Sequence, residues 1–369
     1  MRVYASVDKN ALTKNMNEIR KKVGDNIKIM PVIKADAYGH NAAQTAKALD
    51  RYADYFAVAV IEEAVSLRQN GIAKPIMLLG YTSPEDYFEA VRNDITVTVF
   101  TYNAAEKLSV VARAEGKKAK LHVAVDTGMS RIGFPCTGSG ADEVEKISRL
   151  SDVILEGIFT HYASADETDR SFTELQLSRF GEFIKLLESR GVDIPIKHTA
   201  NSAAIMEYPE TVFNMVRPGI ITYGLYPSAE VDKNKLSLVP AMELKTHVAY
   251  VKYIEKDDTV SYGRTFCADR KMKIATIPVG YADGYPRLLS NKGRVIINGE
   301  YAPILGRICM DQFMVDVSHI KDICEGDSVT LIGRDGGCCI SAEEIAEYAQ
   351  TINYEIICGI GKRVPRVFF

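Results

Sequence analysis

Ile27-Lys28-Ile29-Met30-Pro31-Val32-Ile33-Lys34-Ala35-Asp36-Ala37-Tyr38-Gly39-His40 is a short apolar run that ends in a lysine and then turns through small residues. In an extended strand alternate side chains share a face, so Lys34 is expected on the side of Met30 and Val32. A lysine facing the same way as buried apolar residues is costly to desolvate. Burial lowers its pKa toward the free amine that forms Schiff bases. The ordinary alternative is a strand-end lysine reaching out to water. The rest of the chain decides between them.

Similar apolar runs recur at 55–60, 75–79, 95–100, 119–125, 154–160, 194–198 and 213–217, separated by segments of helical periodicity. The segment 61–70 ends at Gly71, a C′ glycine. Ser83-Pro84-Glu85-Asp86 reads as a helix start with a capping serine and a proline at the first helical position. The longest helix is expected over 172–190, closed by Gly191. Strand–helix repeats of this number predict an α/β fold, a (β/α)8 TIM-type barrel. A doubly wound open sheet is the rival, but it usually has fewer strands and a glycine-rich first loop. In a barrel the chemistry sits on the loops that follow the strands. Lys34 and Tyr38, Arg131, His161, Asn201-Ser202 and Arg217-Pro218-Gly219 all fall at such positions.

After about residue 235 the texture changes to strand-like runs meeting at Asn298-Gly299, Glu325-Gly326-Asp327 and Asp335-Gly336-Gly337, with helical pattern left only near 341–350. The expected division is a barrel over 1–235 and a C-terminal mainly-β domain over 236–369. The 369 residues suit two domains. A net charge of −3 gives no electrostatic case for nucleic acid or an anionic membrane surface. No apolar run reaches the ~20 residues that span a bilayer, and the N-terminus lacks the apolar core of a secretory signal. Seven cysteines without framework spacing point to reduced thiols and a cytoplasmic protein. No CxxC pair is present, so no structural metal site is expected. Neither a GxxxxGK[ST] nor a GxGxxG loop occurs.

Taken together, Val32-Ile-Lys-Ala-Asp-Ala-Tyr-Gly-His40, Asp126-Thr-Gly-Met-Ser-Arg-Ile-Gly133, His161-Tyr-Ala-Ser-Ala-Asp166 and Val216-Arg-Pro-Gly219 resemble the alanine racemase family. Further matches are Ser261-Tyr-Gly263, Gly280-Tyr-Ala-Asp-Gly284, Gly306-Arg-Ile-Cys-Met-Asp311, Thr351-Ile-Asn-Tyr354 and Arg363-Val-Pro-Arg366, so the resemblance spans nearly the whole chain in order. It implies a barrel with a C-terminal β domain and pyridoxal 5′-phosphate as cofactor. Racemising an α-amino acid means removing and returning an unactivated α-proton, and the cofactor supplies the electron sink.

The resemblance also implies roles. Lys34 resembles the lysine that holds the cofactor and acts as base on one face of the α-carbon, and Tyr262 resembles the acid/base on the other. A phenol of ordinary pKa ~10 needs poising for that task, and His161 and Arg217 are the candidates to do it. The arginine matching Arg217 faces the pyridine nitrogen. Tyr38, Asn201, Ser202, Gly219, Ile220 and Tyr354 resemble the cofactor-binding set, largely around the phosphate. Arg131 and the backbone N–H of Met310 are expected to meet the substrate carboxylate, with Arg287, Arg307 and Asp166 lining a narrow access corridor. The family pattern further implies a homodimer with each site shared between subunits, and D-alanine supplied for cell-wall peptidoglycan.

Two departures stand out. Many members carry a lysine, modified to a carbamate that braces the following arginine, where this chain has Ala124. The glycine often found after Tyr-Gly-His is Asn41. Tyr354 is retained where relatives favouring serine are expected to carry a smaller side chain. The reading is therefore an alanine racemase, with a serine-directed or broader-specificity racemase as the alternative. A decarboxylase of similar build would not need the Arg131/Met310 clamp, and a barrel-only cofactor carrier would lack the β domain.

Overall fold

The computed structural model describes residues 1–369. The chain forms two compact units: Asn10–Ala37 with Ala42–Val239, and Met1–Lys9 with Tyr38–Asn41 and Pro240–Phe369.

In the first unit eight parallel strands run in chain order: β1 (Lys28–Ile29), β2 (Phe56–Val58), β3 (Ile76–Leu78), β4 (Ile95–Val99), β5 (Ala119–Asp126), β6 (Val153–Phe159), β7 (Ile196–His198) and β8 (Met215–Val216). The strands β2, β3 and β4 are buried at every residue. That explains the unbroken apolar reading of β2 and β3, since strands covered on both faces show no alternation, while β4 buries its two threonines, Thr96 and Thr98, as well. The ring closes at both ends of this order. Ala57 N–H donates to Pro31 O at 3.0 Å and Ile33 N–H to Ala57 O at 2.8 Å, which joins β1 to β2. Arg217 N–H donates to Ala200 O at 2.9 Å beside β7, and β8 pairs in register with β1. The result is the expected (β/α)8 barrel.

Its helices follow the sequence pattern closely. The helix Ile61–Gln69 buries Ile61, Ala64 and Leu67 on one face, and the chain leaves it through Gly71 at φ +84°. The long helix Ser171–Ser189 buries Gln176, Phe180, Phe183, Ile184 and Leu187. Ser83 departs from its expected role: it precedes a short 3-10 turn, Pro84–Asp86, and its side chain makes no capping bond.

The second unit is a ten-stranded, mostly antiparallel sheet. Asn298 and Gly299, at φ +52° and +76°, form the two-residue turn joining Arg294–Ile297 to Glu300–Leu305. The first residues of the chain, expected with the barrel, belong here instead. Val3–Val7 alternates buried and half-buried residues and pairs antiparallel with Met242–His247 and parallel with Arg366–Phe368. A five-residue strand gains a hydrogen-bonded neighbour on each side this way, whereas an edge would leave one row of donors and acceptors unpaired.

Candidate active site

Lys34 lies beyond β1 and does not continue the strand. Ala35, Asp36, Ala37 and Tyr38 all adopt left-handed conformations, with φ between +52° and +56°. For L-residues each such conformation costs roughly 1–2 kcal/mol, so the turn must be held from outside. Lys34 is therefore half-exposed, while Met30 and Val32 are buried. The expectation that it shares their face fails because the extended backbone stops before it.

Several contacts hold the turn. Ala37 N–H donates to Ile33 O at 2.9 Å, and Ala42 N–H donates to Asp36 Oδ1 at 2.7 Å. Tyr223 Oη donates to Val32 O at 2.9 Å. The largest brace is Glu63, absent from the sequence reading. Its Oε1 accepts Ala35 N–H at 2.6 Å and its Oε2 accepts Ala59 N–H at 2.8 Å, tying the turn to the end of β2. The only sequence signal for Glu63 was an acid in the first turn of a helix, which is common for dipole reasons alone. Asn41 sits at φ +70°, a conformation asparagine tolerates, so the missing glycine leaves the backbone path intact.

At the ends of β6, β7 and β8 lie His161, Asn201, Ser202 and Arg217. Arg217 is buried, and no carboxylate touches it. Its Nη1 donates to His198 Nδ1 at 2.8 Å and His198 O at 2.9 Å. Its Nη2 donates to Thr160 O at 2.8 Å, Thr199 O at 3.0 Å and His161 Nδ1 at 3.2 Å. Burial, with the Arg131 charge adding to it, lowers the guanidinium to about 10. Because Arg217 can only donate, His161 must accept at Nδ1 and carry its proton on Nε2. Burial, then the charges of Arg217, Arg131 and Lys34, push the His161 imidazolium down to about 3, so the ring is neutral. Residues 34, 131, 161 and 217 thus act on one another in space, as the barrel reading requires.

Asn201 caps the helix Ser202–Glu207 through Ala204 N–H at 3.0 Å. Ser202 Oγ accepts Gly219 N–H at 2.9 Å and keeps its own hydrogen to donate. Ile220 opens the 3-10 turn Ile220–Tyr223, so its N–H has no partner within that turn. Arg131 is exposed and forms no ion pair. Its loop is shaped by Asp126, whose Oδ1 accepts Gly128 N–H at 2.9 Å and Ser130 N–H at 3.0 Å. Beside it, Ala124, Arg131, Thr160 and His161 line a cavity of about 20 Å³. Gln176, also unmarked by the sequence, is buried and bridges this region, donating to Thr127 Oγ1 and His161 O and accepting Ala163 N–H. Asp166 is half-buried on the following loop.

In the second unit the Tyr38 and Tyr354 rings lie 6.1 Å apart, and burial raises the Tyr38 phenol above its ordinary value, with Cys358 adding to the shift. Gly39 is obligatory there, since a Cβ would stand 2.3 Å from Ile357 O at φ +80°. Tyr262 opens a short turn, Tyr262–Arg264, and is 71% exposed. Ser261, before it, donates through its hydroxyl to Arg307 O. Met310 is 52% exposed, and its carbonyl accepts Ala282 N–H at 3.0 Å. Arg287 and Arg307 are exposed. No cluster of His, Cys, Asp or Glu is placed to hold a metal ion.

The barrel residues fit pyridoxal 5′-phosphate. Arg217 spends both Nη groups on protein acceptors, while its Nε–H meets none and remains for a ring nitrogen. Ser202 Oγ–H and Ile220 N–H are donors suited to a phosphate, and Lys34 supplies the amine.

Comparison with known proteins agrees with this chemistry. The chain matches the family model for the alanine racemase N-terminal domain over residues 7–227 and that for the C-terminal domain over 241–368. Alanine racemase 1 of Clostridium acetobutylicum is 50% identical over 367 residues, which cover 99% of this chain and 95% of the relative. The solved alanine racemase of Clostridium difficile superposes with a TM-score of 0.97 at 44% identity, covering 100% of this chain and 96% of that one. The Bacillus anthracis alanine racemase with bound L-Ala-P gives 0.94 at 39% identity, covering 100% and 95%.

Proposed function

Because this chain belongs to the alanine racemase family, we propose that it is the pyridoxal 5′-phosphate-dependent enzyme interconverting L-alanine and D-alanine. The observation that carries the reading is the grouping of Lys34, Arg131, His161 and Arg217 at the strand ends of one barrel.

When bound, the cofactor supplies the sink for the electron pair left when the α-proton departs. The chain's own residues do the rest. Lys34 Nζ holds the cofactor and then takes or returns the proton on one face of the α-carbon. Tyr262 Oη serves the opposite face. Neutral His161, whose Nε2–H is directed by the Arg217 contact, poises that phenol. Arg217 Nε–H would donate to the cofactor's ring nitrogen and hold it unprotonated, because a guanidinium has only donors and could not accept a hydrogen bond from a protonated ring. Ser202 Oγ–H, the backbone at Gly219 and Ile220, and the hydroxyls of Tyr38 and Tyr354 hold the phosphate, with Asn201 fixing Ser202 by its cap. Arg131 and Met310 N–H hold the substrate carboxylate. Asp166, Arg287 and Arg307 line the approach. Retention of Tyr354 favours alanine over serine.

The working enzyme is a homodimer in which the β domain, over about 236–369, completes the site of the partner's barrel. What supports this is the exposure of Tyr262 and Met310, together with Tyr281 and Leu288. A base and an anion-binding amide are effective only where water is excluded. None of the seven cysteines forms a disulfide, which supports a cytoplasmic enzyme supplying D-alanine for peptidoglycan. No helix is long and apolar enough to cross a membrane. The deciding experiment incubates the cofactor-loaded protein with L-alanine and, separately, D-alanine. Both should converge on one chiral mixture; release of carbon dioxide or retention of configuration would overturn the assignment.

A further inference from the structure

Behind Arg217 a line of polar side chains runs through the barrel interior, where aliphatic residues are the rule. His198 accepts the Arg217 Nη1–H at Nδ1, 2.8 Å away, so this buried, neutral imidazole must hold its proton on Nε2. That Nε2 lies 2.8 Å from His122 Nδ1, which must then be the acceptor. His122 is fully buried too, and this contact favours its own proton on Nε2. There it makes no hydrogen bond of ordinary length but lies 3.4 Å from the Glu156 carboxylate. The line ends at that carboxylate, which accepts from Tyr55 Oη at 3.0 Å and Thr96 Oγ1 at 3.3 Å.

The surrounding backbone is shaped for this arrangement. A Cβ on Gly157 would stand 2.4 Å from two atoms of the His122 ring. Phe159 stacks on His198 with ring centroids 4.9 Å apart and planes 12° from parallel. Burial lowers both imidazoles, Arg217 lowers His198 further, and Glu156 alone pulls His122 the other way. Glu156 itself stays ionised: burial pushes its carboxyl up, but His122, Tyr55 and Lys120 together hold it below its usual value. A buried guanidinium without a contacting carboxylate therefore has one linked through two rings.

We infer that Glu156 is a positioning residue for Arg217: its carboxylate, at the far end of the line, stabilises the Nε2–H tautomers of His122 and His198 that the Arg217 contact selects, and so helps hold the His198 lone pair toward the guanidinium. The inference rests on the racemase reading only for its catalytic consequence; the tautomers can be read in any state of the protein.

Glu156→Leu removes the acceptor, Glu156→Gln removes only the charge, and Tyr55→Phe removes a neighbour of the carboxylate while leaving the line intact. Imidazole ¹⁵N and ring-proton resonances of histidine-labelled protein, with and without cofactor, report the tautomers. His122→Gln and His198→Gln assign the signals, and thermal melts establish folding. Wild type should show both rings as Nε2–H. In Glu156→Leu His122 should populate both tautomers, the His198 resonance should follow it, and kcat should fall about tenfold with KM nearly unchanged, the scale of one hydrogen bond to a charged group. Tyr55→Phe should leave tautomers and kcat in place. Unchanged tautomers in folded Glu156→Leu, or equal changes in Tyr55→Phe, overturn the inference. If the leucine variant does not fold, Glu156→Gln decides: the His122 Nε2–H resonance should move upfield, and an unmoved one counts against the role. Altered tautomers in a protein without racemase activity would leave the line standing and sink the functional reading instead.

Discussion

Two turns carry the two groups proposed to move the proton, and they are built in opposite ways. The Lys34 turn runs through four left-handed residues and is braced by Glu63, Asp36 and Tyr223 within its own unit. The Tyr262 turn also contains left-handed residues, Ser261, Gly263 and Arg264 at φ +67°, +70° and +53°, but its tyrosine points away from support and is mostly exposed. One proposed base is fixed by contacts within its own unit, and the other is left mostly exposed. Strain persists only where surroundings over-determine it; the first turn has such surroundings in one chain.

The largest test of that contrast removes the braced base. Lys34→Ala should abolish racemisation in both directions together with the borohydride-sensitive visible absorption of cofactor-loaded protein. A variant that keeps this absorption would show that another residue holds the cofactor. Next comes the unbraced base. Lys34→Ala and Tyr262→Phe, each inactive, should regain activity when mixed under conditions of verified subunit exchange, approaching half the wild-type rate per heterodimer, because a two-fold dimer then holds one intact site. Continued inactivity would place both bases in the same chain.

A smaller effect is expected from the brace itself. Glu63→Ala should lower kcat about tenfold or more by freeing the Ala35 amide, while the melting temperature falls only modestly. Fast hydrogen exchange at the Ala35 amide would accompany it; unchanged exchange would mean the turn holds without Glu63. The smallest effect concerns Arg131, which has space and no carbamate beside Ala124. The cavity of about 20 Å³ has room for one water or small ion. Chloride should change KM for alanine by a few-fold relative to a bulky anion at equal ionic strength. Identical kinetics in both salts would remove the ion from the account.

The barrel was legible because several of its strands are buried on both faces, and the residues proposed to carry the chemistry stand at or just beyond strand ends, a pattern independent of distant contacts. The N-terminal strand was not, since Val3–Val7 is recognisable only beside partners more than 230 residues away in sequence. Nor was the left-handed turn, because Ala-Asp-Ala-Tyr carries no local preference for positive φ and the conformation is imposed by Glu63 and Asp36. Lys34 was picked out for the wrong reason, as an inward-facing strand residue, although its place on the segment that follows β1 was right. His122 and Glu156 look like ordinary interruptions of apolar strands; their meaning lies in distances that spacing does not encode. The short helix Asn353–Cys358, only six residues long, offered too little periodicity to register beside the helix near 341–350.

The pairing of Val3–Val7 between Met242–His247 and Arg366–Phe368 also sets a timetable for synthesis. The first strand leaves the ribosome before its neighbours exist. At about 5–20 residues per second it waits on the order of 10–50 s for the nearer one. The more distant neighbour, Arg366–Phe368, is translated later still, so the strand pairs on its second side only after the whole barrel has been made. Until the nearer neighbour is made, the nascent chain carries this strand unpaired while the residues of the barrel are still being added. This is the segment a holding chaperone would shield, and a bulky fusion at either terminus would be felt at the same seam.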